Sequence, residues 1–294
     1  MNQRMPVILG LLAGLLANAA WAQERSWYQQ TEYKGQEIGK LTGSIYYARM
    51  DDYLSVFMVT PEGIILVEPI GTEFATWLKG EMTNRFHVPV KYVIYSHSHW
   101  DHASGGAVYA DTARFIGQEN ILKNLANIPP NARPPVNMQK PDLTYTERLN
   151  INLGGKRVEV ISRPTAHADD NSLVRFVDGT NVLFASDWIT VHRLPFGPIS
   201  PDEIPLVKAV EAMDFEYFVC SHGKLGKKED VTLNRRYREE LRDAVAKAIA
   251  GAQTLEQAQA SVLMENYKEW EFYQQQRPQN VAGTYRGLAA RAGQ

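Results

Sequence analysis

Short apolar runs and helically spaced apolar positions alternate along most of the chain. Residues 54–69 (LSVFMVTPEGIILVEP) hold two apolar, β-branched runs around Pro-Glu-Gly, which predicts two strands joined by a tight turn. Residues 73–86 have helical spacing. Residues 90–95 (VKYVIY) form the short, continuous apolar run that is typical of a buried strand. The chain is therefore predicted to combine strands and helices from its first part onward.

The next hundred residues continue this alternation. A helix start is predicted at residues 105–112, a strand at 114–117 and a helix at 118–127. Residues 127–142 (NIPPNARPPVNMQKPD) are rich in proline and lack periodicity, which predicts a surface loop. Such a loop either covers a site or only connects two elements.

Two predicted hairpins and a helical region follow this loop. Residues 149–162 turn at Gly154-Gly155, and residues 172–186 turn at Asp178-Gly179. A helix at 202–213 and a buried strand at 217–222 come next, and the chain is mostly helical from Lys227. The aromatic-rich tail from Met264 has no clear pattern. Strands that alternate with helices and include hairpins predict an α+β fold with sheets covered by helices.

Composition and charge narrow the class of protein. The 294 residues are 44% hydrophobic, which is enough for one large domain or two small ones. The formal net charge is −2 and no Lys/Arg-rich run occurs, so a nucleic-acid partner is not expected. The single cysteine, Cys220, excludes an internal disulfide.

The first residues have the composition of a targeting segment. Residues 1–22 contain a positive start (Arg4), an apolar stretch and a small-residue end (AWA), which predicts a secretory signal peptide cleaved after Ala22. The alternative is an uncleaved membrane anchor, but the apolar stretch is shorter than the ~20 residues of a spanning helix. We expect a periplasmic or secreted protein with no membrane contact after cleavage.

A dense group of ligand-type side chains follows the predicted strand at residues 90–95. Residues 96–106 read SHSHWDHASGG, with His97, His99, Asp101 and His102 inside six positions. Imidazole and carboxylate groups are preferred zinc ligands when thiolates are absent. Residues two apart in an extended segment point the same way, so His97 and His99 can bind one ion. A turn into a helix would direct the other two to a second ion.

Three further candidate ligands lie at the ends of later predicted strands. His167 follows VEVISR, Asp187 follows NVLF and His222 follows YFV. A single histidine or aspartate at a strand end is more often an ordinary turn residue with satisfied hydrogen bonds. Five of the seven histidines and two aspartates at such junctions instead favour one metal site. Chemically, three histidines suit one ion, Asp101 with two histidines the other, and Asp187 a place between them.

This order of motifs resembles the metallo-β-lactamase-fold metallohydrolases, over residues 41–241. The resemblance implies an αββα sandwich, here as a single domain at residues 23–294 with a helical C-terminal extension from about residue 227. It also implies two zinc ions: His97, His99 and His167 on the first, Asp101, His102 and His222 on the second, and Asp187 bridging. Two features depart from the family pattern, because AHADD lacks the usual glycines around the fourth ligand and Glu68 stands near a usual aspartate.

The resemblance implies an exported zinc hydrolase of a small ester, lactone, thioester or amide. Two such ions would lower the pKa of a shared water to near 7, and Asp101 would be the catalytic residue that orients this water and carries a proton. Activity on β-lactams stays possible, more as a side activity than as the main role, because Asp187 at the bridging position looks more like the lactonase, glyoxalase II and esterase branches of the family. The cysteine-ligand β-lactamases of this family carry their thiol at the position of Asp187. Cys220 is then a small buried side chain.

Two other functions stay open. The ligands His97, His99, His167 and Asp187 also suit a single iron in a sulfur-oxidising enzyme of the same fold. A non-catalytic periplasmic binding or accessory protein would give no reason to keep seven converging ligands. For a small-molecule substrate, Lys224, His192 and Arg133 are candidate contacts, although exposed loop charges are common. The sequence leaves the oligomeric state open.

Overall fold

The computed structural model describes residues 33–292 of the chain. The signal peptide predicted at residues 1–22 lies outside the described residues. Within residues 33–292, no helix combines the length and apolarity needed to cross a membrane.

Two β-sheets form the centre of the protein. The first has seven strands and the second six, and spatial order follows chain order in both. The strands of the first sheet are β1 (Gln36–Thr42), β2 (Ile45–Met50), β3 (Tyr53–Thr60), β4 (Gly63–Val67), β5 (Val90–Ile94), β6 (Arg114–Gln118) and β7 (Leu143–Tyr145). Those of the second are β8 (Arg148–Leu153), β9 (Lys156–Ser162), β10 (Ser172–Val177), β11 (Val182–Phe184), β12 (Tyr217–Val219) and β13 (Leu225–Lys227). Pairing is antiparallel from β1 to β4 and parallel from β4 to β7.

Helices cover the outer face of each sheet. They are α1 (Thr72–Phe86), α2 (Trp100–Ala103), α3 (Asn120–Ala126), α4 (Ile204–Glu211), α5 (Lys228–Ala250), α6 (Leu255–Ser261) and α7 (Tyr273–Ala292). Buried side chains such as Val56 and Val174 pack between the sheets. Helices α1 to α3 bury residues against the first sheet, and α4 and α5 against the second. The predicted αββα sandwich with a C-terminal helical extension is confirmed.

The structure differs from the predicted elements in several places, including the short strands β7 and β13, which were not predicted. Residues 106–109 form only a 3-10 turn, and the turn packs closely on the chain before α1: a Cβ at Gly105 would lie 2.3 Å from the Pro69 carbonyl oxygen. The hairpin of β1 and β2 was not predicted. Strand β1 is half-exposed and therefore lacks the apolar run by which the buried strands are recognised.

The C-terminal extension packs against the loop that follows β11. A separate cluster of buried side chains joins Leu194 and Ile199 of this loop to Tyr237 of α5 and Val281 of α7. Because Asp187 begins the same loop, the extension lies beside the residues that the sequence marks as metal ligands.

Candidate metal centre

The motif at residues 96–106 takes its geometry from the change from strand to helix that follows β5. Strand β5 ends at Ile94, residues 95–99 are non-helical, and α2 begins at Trp100. His97 is fully buried, and its ring centre lies 4.4 Å from that of His99. The helical turn places Asp101 and His102 on the other side of the same region, as the sequence predicts for this motif.

All seven predicted ligands converge, in two groups. In each group, one candidate ligand atom per residue lies within 4.8 Å of the others. The first group is His97, His99, His167 and Asp187, and the second is Asp101, His102 and His222.

Asp187 lies between the two groups. Its Oδ2 is 3.6 Å from His167 Nε2 in the first group and 3.0 Å from His102 Nε2 in the second. Its Oδ1 is 3.5 Å from His222 Nε2. One carboxylate therefore faces both sets of imidazoles.

The nitrogen and oxygen atoms of the two ligand groups are placed to bind cations rather than to form hydrogen bonds with one another. His102 Nε2 and Asp187 Oδ1 are buried, and although each lies close to an atom of the opposite charge type, neither makes a hydrogen bond of good geometry among the described residues. His97 Nε2 and His167 Nε2 lie 3.3 Å apart. Buried polar atoms are nearly always satisfied, and two ring nitrogens that share one cation satisfy this requirement. The residues present thus suit two cations bound by nitrogen and carboxylate oxygen.

Burial and charge set the protonation of the centre in the absence of metal. Burial lowers the pKa of His97 well below its usual value, as do neighbouring imidazoles, and burial lowers the pKa of His167 to about 4. Burial also opposes a charge on His102, but Asp101, Asp187 and Glu68 outweigh it and raise the pKa of His102 well above its usual value. The imidazoles of His97 and His167 are therefore neutral and ready to bind a cation, whereas His102 must release a proton first.

Glu68 is the main outer partner of the motif. It is fully buried at the end of β4 with φ of 57°, in the left-handed region that few non-glycine residues adopt. Its Oε2 lies 3.0 Å from His102 Nδ1, while its Oε1 accepts hydrogen bonds from Ser96 and Ser221, the latter at 2.9 Å. The carboxylate keeps the proton of His102 on Nδ1 and directs Nε2 toward Asp187.

Outer hydrogen bonds also orient His97 and His222. His97 Nδ1 contacts the hydroxyls of Ser96 at 2.8 Å and Ser186 at 3.0 Å. His222 Nδ1 lies 3.1 Å from Oδ2 of the buried Asp52. In both cases the proton on Nδ1 leaves Nε2 as the ligand atom.

Gly223 lets a buried arginine approach the second group. Its φ is +83°, and a Cβ at this position would lie 3.2 Å from Arg193 Cζ. We expect Gly223→Ala to lower the free energy of unfolding, measured by urea titration, by about 1–3 kcal/mol from the backbone alone, and further through contact with Arg193.

Gly155→Ala is the matched control for Gly223→Ala. Gly155 has φ of +75°, but a Cβ there meets nothing within 4 Å. It therefore reports the backbone cost without the contact. Equal losses in the two variants would show that the approach of Arg193 contributes nothing.

A cleft of about 920 Å³ opens beside the centre. Its walls include His99, Asp101 and His167 from the centre, and residues 127–135 of the proline-rich loop. Arg133 from this loop lines the cleft, and its guanidinium lies 3.6 Å from the centre of the Trp100 ring. The loop therefore forms a wall of the cleft.

The other two predicted substrate contacts lie elsewhere. His192 is half-exposed and pairs with Asp230 of α5, with 3.0 Å between Nε2 and Oδ1. Lys224 does not line the cleft, and its Nζ is 3.9 Å from Oε1 of Glu271. Of the three predicted contacts, only Arg133 lines the cleft.

Cys220 is buried and belongs to neither ligand group. Its thiol donates to the carbonyl oxygen of His222 at 3.0 Å, and burial raises its pKa to about 12. It packs the strand end and supplies no thiolate.

Several residues that orient the candidate ligands were not predicted from the sequence. Asp52, Ser186, Arg193 and Glu271 lie outside the recognised motifs and carry no local pattern. Ser96 lies directly before His97 and contacts its ring. Asp169 joins the His167 loop to α3, because its Oδ1 accepts from Asn124 at 2.7 Å. Only the three-dimensional arrangement reveals the other partners.

Comparison with known proteins supports the same assignment. Residues 87–222 match the family model described as the metallo-beta-lactamase superfamily. A metallo-β-lactamase from Pontibacter korlensis is 18% identical with a TM-score of 0.58, over 70% of this chain and 99% of that one. The subclass B3 metallo-β-lactamase BJP-1 of Bradyrhizobium japonicum is 17% identical with a TM-score of 0.59, over 76% and 99%. A sec-alkyl sulfatase, PisA1, is 13% identical with a TM-score of 0.67, over 87% of this chain and 50% of that one. No curated protein sequence matches the chain.

The chain therefore has the metallo-β-lactamase fold, and its residues 87–222 match the model of the metallo-β-lactamase superfamily. This fold is that of metallohydrolases, and the two His/Asp groups are the candidate metal site within it.

Proposed function

We propose that this protein is a zinc-dependent hydrolase that cleaves a small ester, lactone, thioester or amide with two metal ions. The observation that carries the proposal is the pair of ligand groups, which share Asp187 and open on one cleft. His97, His99 and His167 would hold one ion, Asp101, His102 and His222 the other, and Asp187 both. Bound zinc supplies a Lewis acid and makes water nucleophilic at neutral pH.

Asp101 is the proposed catalytic residue. Its side chain is 12% exposed, and the residue lines the cleft. Its Oδ2 is 3.3 Å from His102 Nε2, so the carboxylate has a place both in the second group and at the cleft surface. From there it would orient the attacking water and pass a proton to the leaving group.

Arg133 favours a substrate with a negative group. It is the only lysine or arginine among the described residues that line the cleft, and Trp100 holds it through a cation–π contact. A carboxylate or sulfate of the substrate would bind its planar guanidinium with two hydrogen bonds.

We expect Arg133→Ala to raise KM for anionic substrates about 10-fold to 100-fold with little change in kcat, since a hydrogen bond to a charged group contributes about 1.5–3 kcal/mol. Steady-state kinetics on paired anionic and neutral esters measures the effect. Lys123→Ala is the control, because Lys123 is 70% exposed on α3 and does not line the cleft. An equal KM change for neutral esters would contradict the proposed charge recognition.

Metal content tests the proposed function directly. The purified protein is analysed for metal per chain and assayed on lactones, thioesters, β-lactams and alkyl sulfate esters, beside Asp101→Asn. About two zinc ions per chain, with turnover that the variant loses, would support the proposal. One iron per chain with oxygen uptake would favour the sulfur-oxidising alternative. No metal uptake after added zinc would refute a metal centre.

Export is part of the same proposal. The signal-like residues 1–22 would place the hydrolase in the periplasm or outside the cell, and cell fractionation tests this location.

A further inference from the structure

We propose that the C-terminal extension (residues 228–292) is a positioning part of the metal centre, which holds one ligand of each group through a buried arginine. This inference rests on the proposed metal-dependent function. Two separate series of contacts carry it. The Arg193 arm runs from Glu271 through Arg193 and Asp52 to His222. The Arg238 arm runs from Arg238 through Glu203 to Ala166, the residue before His167.

The Arg193 arm ends at His222. Arg193 is fully buried, and its two terminal nitrogens bind both oxygens of Asp52, at 2.8 Å and 2.6 Å. Asp52 Oδ2 is also the partner of His222 Nδ1 at 3.1 Å. On its other side, Arg193 Nε donates to Oε2 of Glu271 at 2.8 Å. Glu271 belongs to the extension, so the extension reaches His222 through two ion pairs.

Backbone hydrogen bonds fix the position of Glu271 beside Arg193. Its backbone N–H donates to the His192 carbonyl at 3.0 Å, and its carbonyl accepts from Leu194 N–H at 3.1 Å. Phe272 places its ring 4.8 Å from the Arg193 guanidinium. The segment between α6 and α7 thus closes over Arg193 from the side opposite Asp52.

The Arg238 arm ends at the loop that carries His167. Arg238 of α5 is buried, and it pairs with the buried Glu203 and donates to the Trp188 carbonyl. Glu203 Oε1 in turn accepts from the backbone N–H of Ala166 at 2.9 Å. His167, Asp187, Glu203 and Arg238 border one small cavity of about 10 Å³. The arm therefore lies directly behind ligands of the first group.

Physical chemistry explains why both arms need the extension. A carboxylate that is buried near an imidazole must be paired with a cation to stay charged, and a buried arginine needs partners for its own donors. Glu271 and α5 supply these partners. Outer contacts of this type fix the orientation of ligands, and their loss typically weakens metal binding about 10-fold to 100-fold.

Glu271→Gln is the main test, with Glu239→Gln as its matched control. Both glutamates belong to the extension, both side chains are 22% exposed, and each pairs with an arginine. The difference is that Glu239 pairs with Arg235 and Lys208, which lie outside the two arms. Zinc affinity is measured by competition with a chelator, and the urea midpoint of the metal-free protein is measured in parallel. We expect Glu271→Gln to weaken one of the two binding steps about 10-fold. The urea midpoint of the metal-free variant should fall more than that of the control, because the buried Arg193 loses a charged partner, and it shows whether the variant is folded under the conditions of the zinc titration.

Reference variants identify which ion is affected. His222→Ala removes a ligand from the second group and His167→Ala one from the first. Glu271→Gln should weaken the step that His222→Ala removes, and Arg238→Lys the step that His167→Ala removes.

Two results would overturn this inference in different ways. If the native protein binds two zinc ions and Glu271→Gln leaves both affinities at the level of Glu239→Gln, the extension only stabilises the fold. If the native protein binds no zinc, the proposed function fails as well.

Discussion

Replacing Asp187 by alanine should lower kcat/KM by about 10³-fold and release metal. The Asp187 carboxylate faces both ligand groups, with Oδ2 at 3.0 Å from His102 Nε2 and 3.6 Å from His167 Nε2. A catalytic metal contributes several kcal/mol of transition-state stabilisation, and about 4 kcal/mol corresponds to about 10³-fold in rate. Kinetics on the best substrate of the panel and metal analysis of the same sample measure both effects.

Asp178→Ala is the control for this prediction. Asp178 is a partly buried aspartate in the hairpin of β10 and β11, where it binds Lys156 and the backbone N–H of Ser44. Its removal should lower stability while metal content and turnover stay at the native level. Native turnover in Asp187→Ala would show that the shared carboxylate has no part in the reaction.

Asp187→Ala should not simply unfold the protein. In the metal-free state Asp187 stands among imidazoles, and despite burial the neighbouring His102 and His222 lower its pKa well below the usual value. Its loss leaves His102 between Asp101 and Glu68, which still balance an imidazolium charge. The folded variant can therefore be assayed for metal.

The metal ligands could be predicted because each has a local signature. The motif at residues 96–106 follows a continuous apolar run, and His167, Asp187 and His222 each follow another. Strands that pair side by side bring their ends to one edge of a sheet, so the ligand residues converge once the strands are recognised. In the structure β11 and β12 are parallel neighbours, which explains why Asp187 and His222 meet.

The outer partners could not be predicted in the same way. Asp52 occupies a hairpin turn, where aspartate is common for local reasons. Arg193 and Glu271 are separated from Asp52 by 141 and 219 positions along the chain. Their pairing depends on how the C-terminal extension folds back, and no periodic pattern records such a contact. The aromatic-rich tail gave no assignment for the same reason: its residues pack against a loop and against helices α5 and α6, and not against a sheet.

Glu68 lies between these two cases, because its position but not its role could be predicted from the sequence. Its role can be tested. The sequence marks it only as a departure from the usual aspartate, whereas the structure makes it the common partner of Ser96, Ser221 and His102. We expect Glu68→Ala to lower the free energy of unfolding by about 3–5 kcal/mol, because it leaves three buried polar groups without their partner. Urea unfolding of the metal-free protein measures this loss.

Glu68→Gln separates the charge of this residue from its packing. The amide keeps the size of the side chain and can still bond to Ser96 and Ser221, so most of the stability should remain. In either orientation it lacks the negative charge that offsets a cation beside His102, and metal affinity should fall about 10-fold or more. Ser221→Ala is the control, because it removes one hydrogen bond to Glu68 at a cost of about 1 kcal/mol and leaves the charge in place. Native metal affinity in Glu68→Gln would mean that Glu68 serves the fold alone, and that the ligand geometry of His102 is set by Asp101 and Asp187.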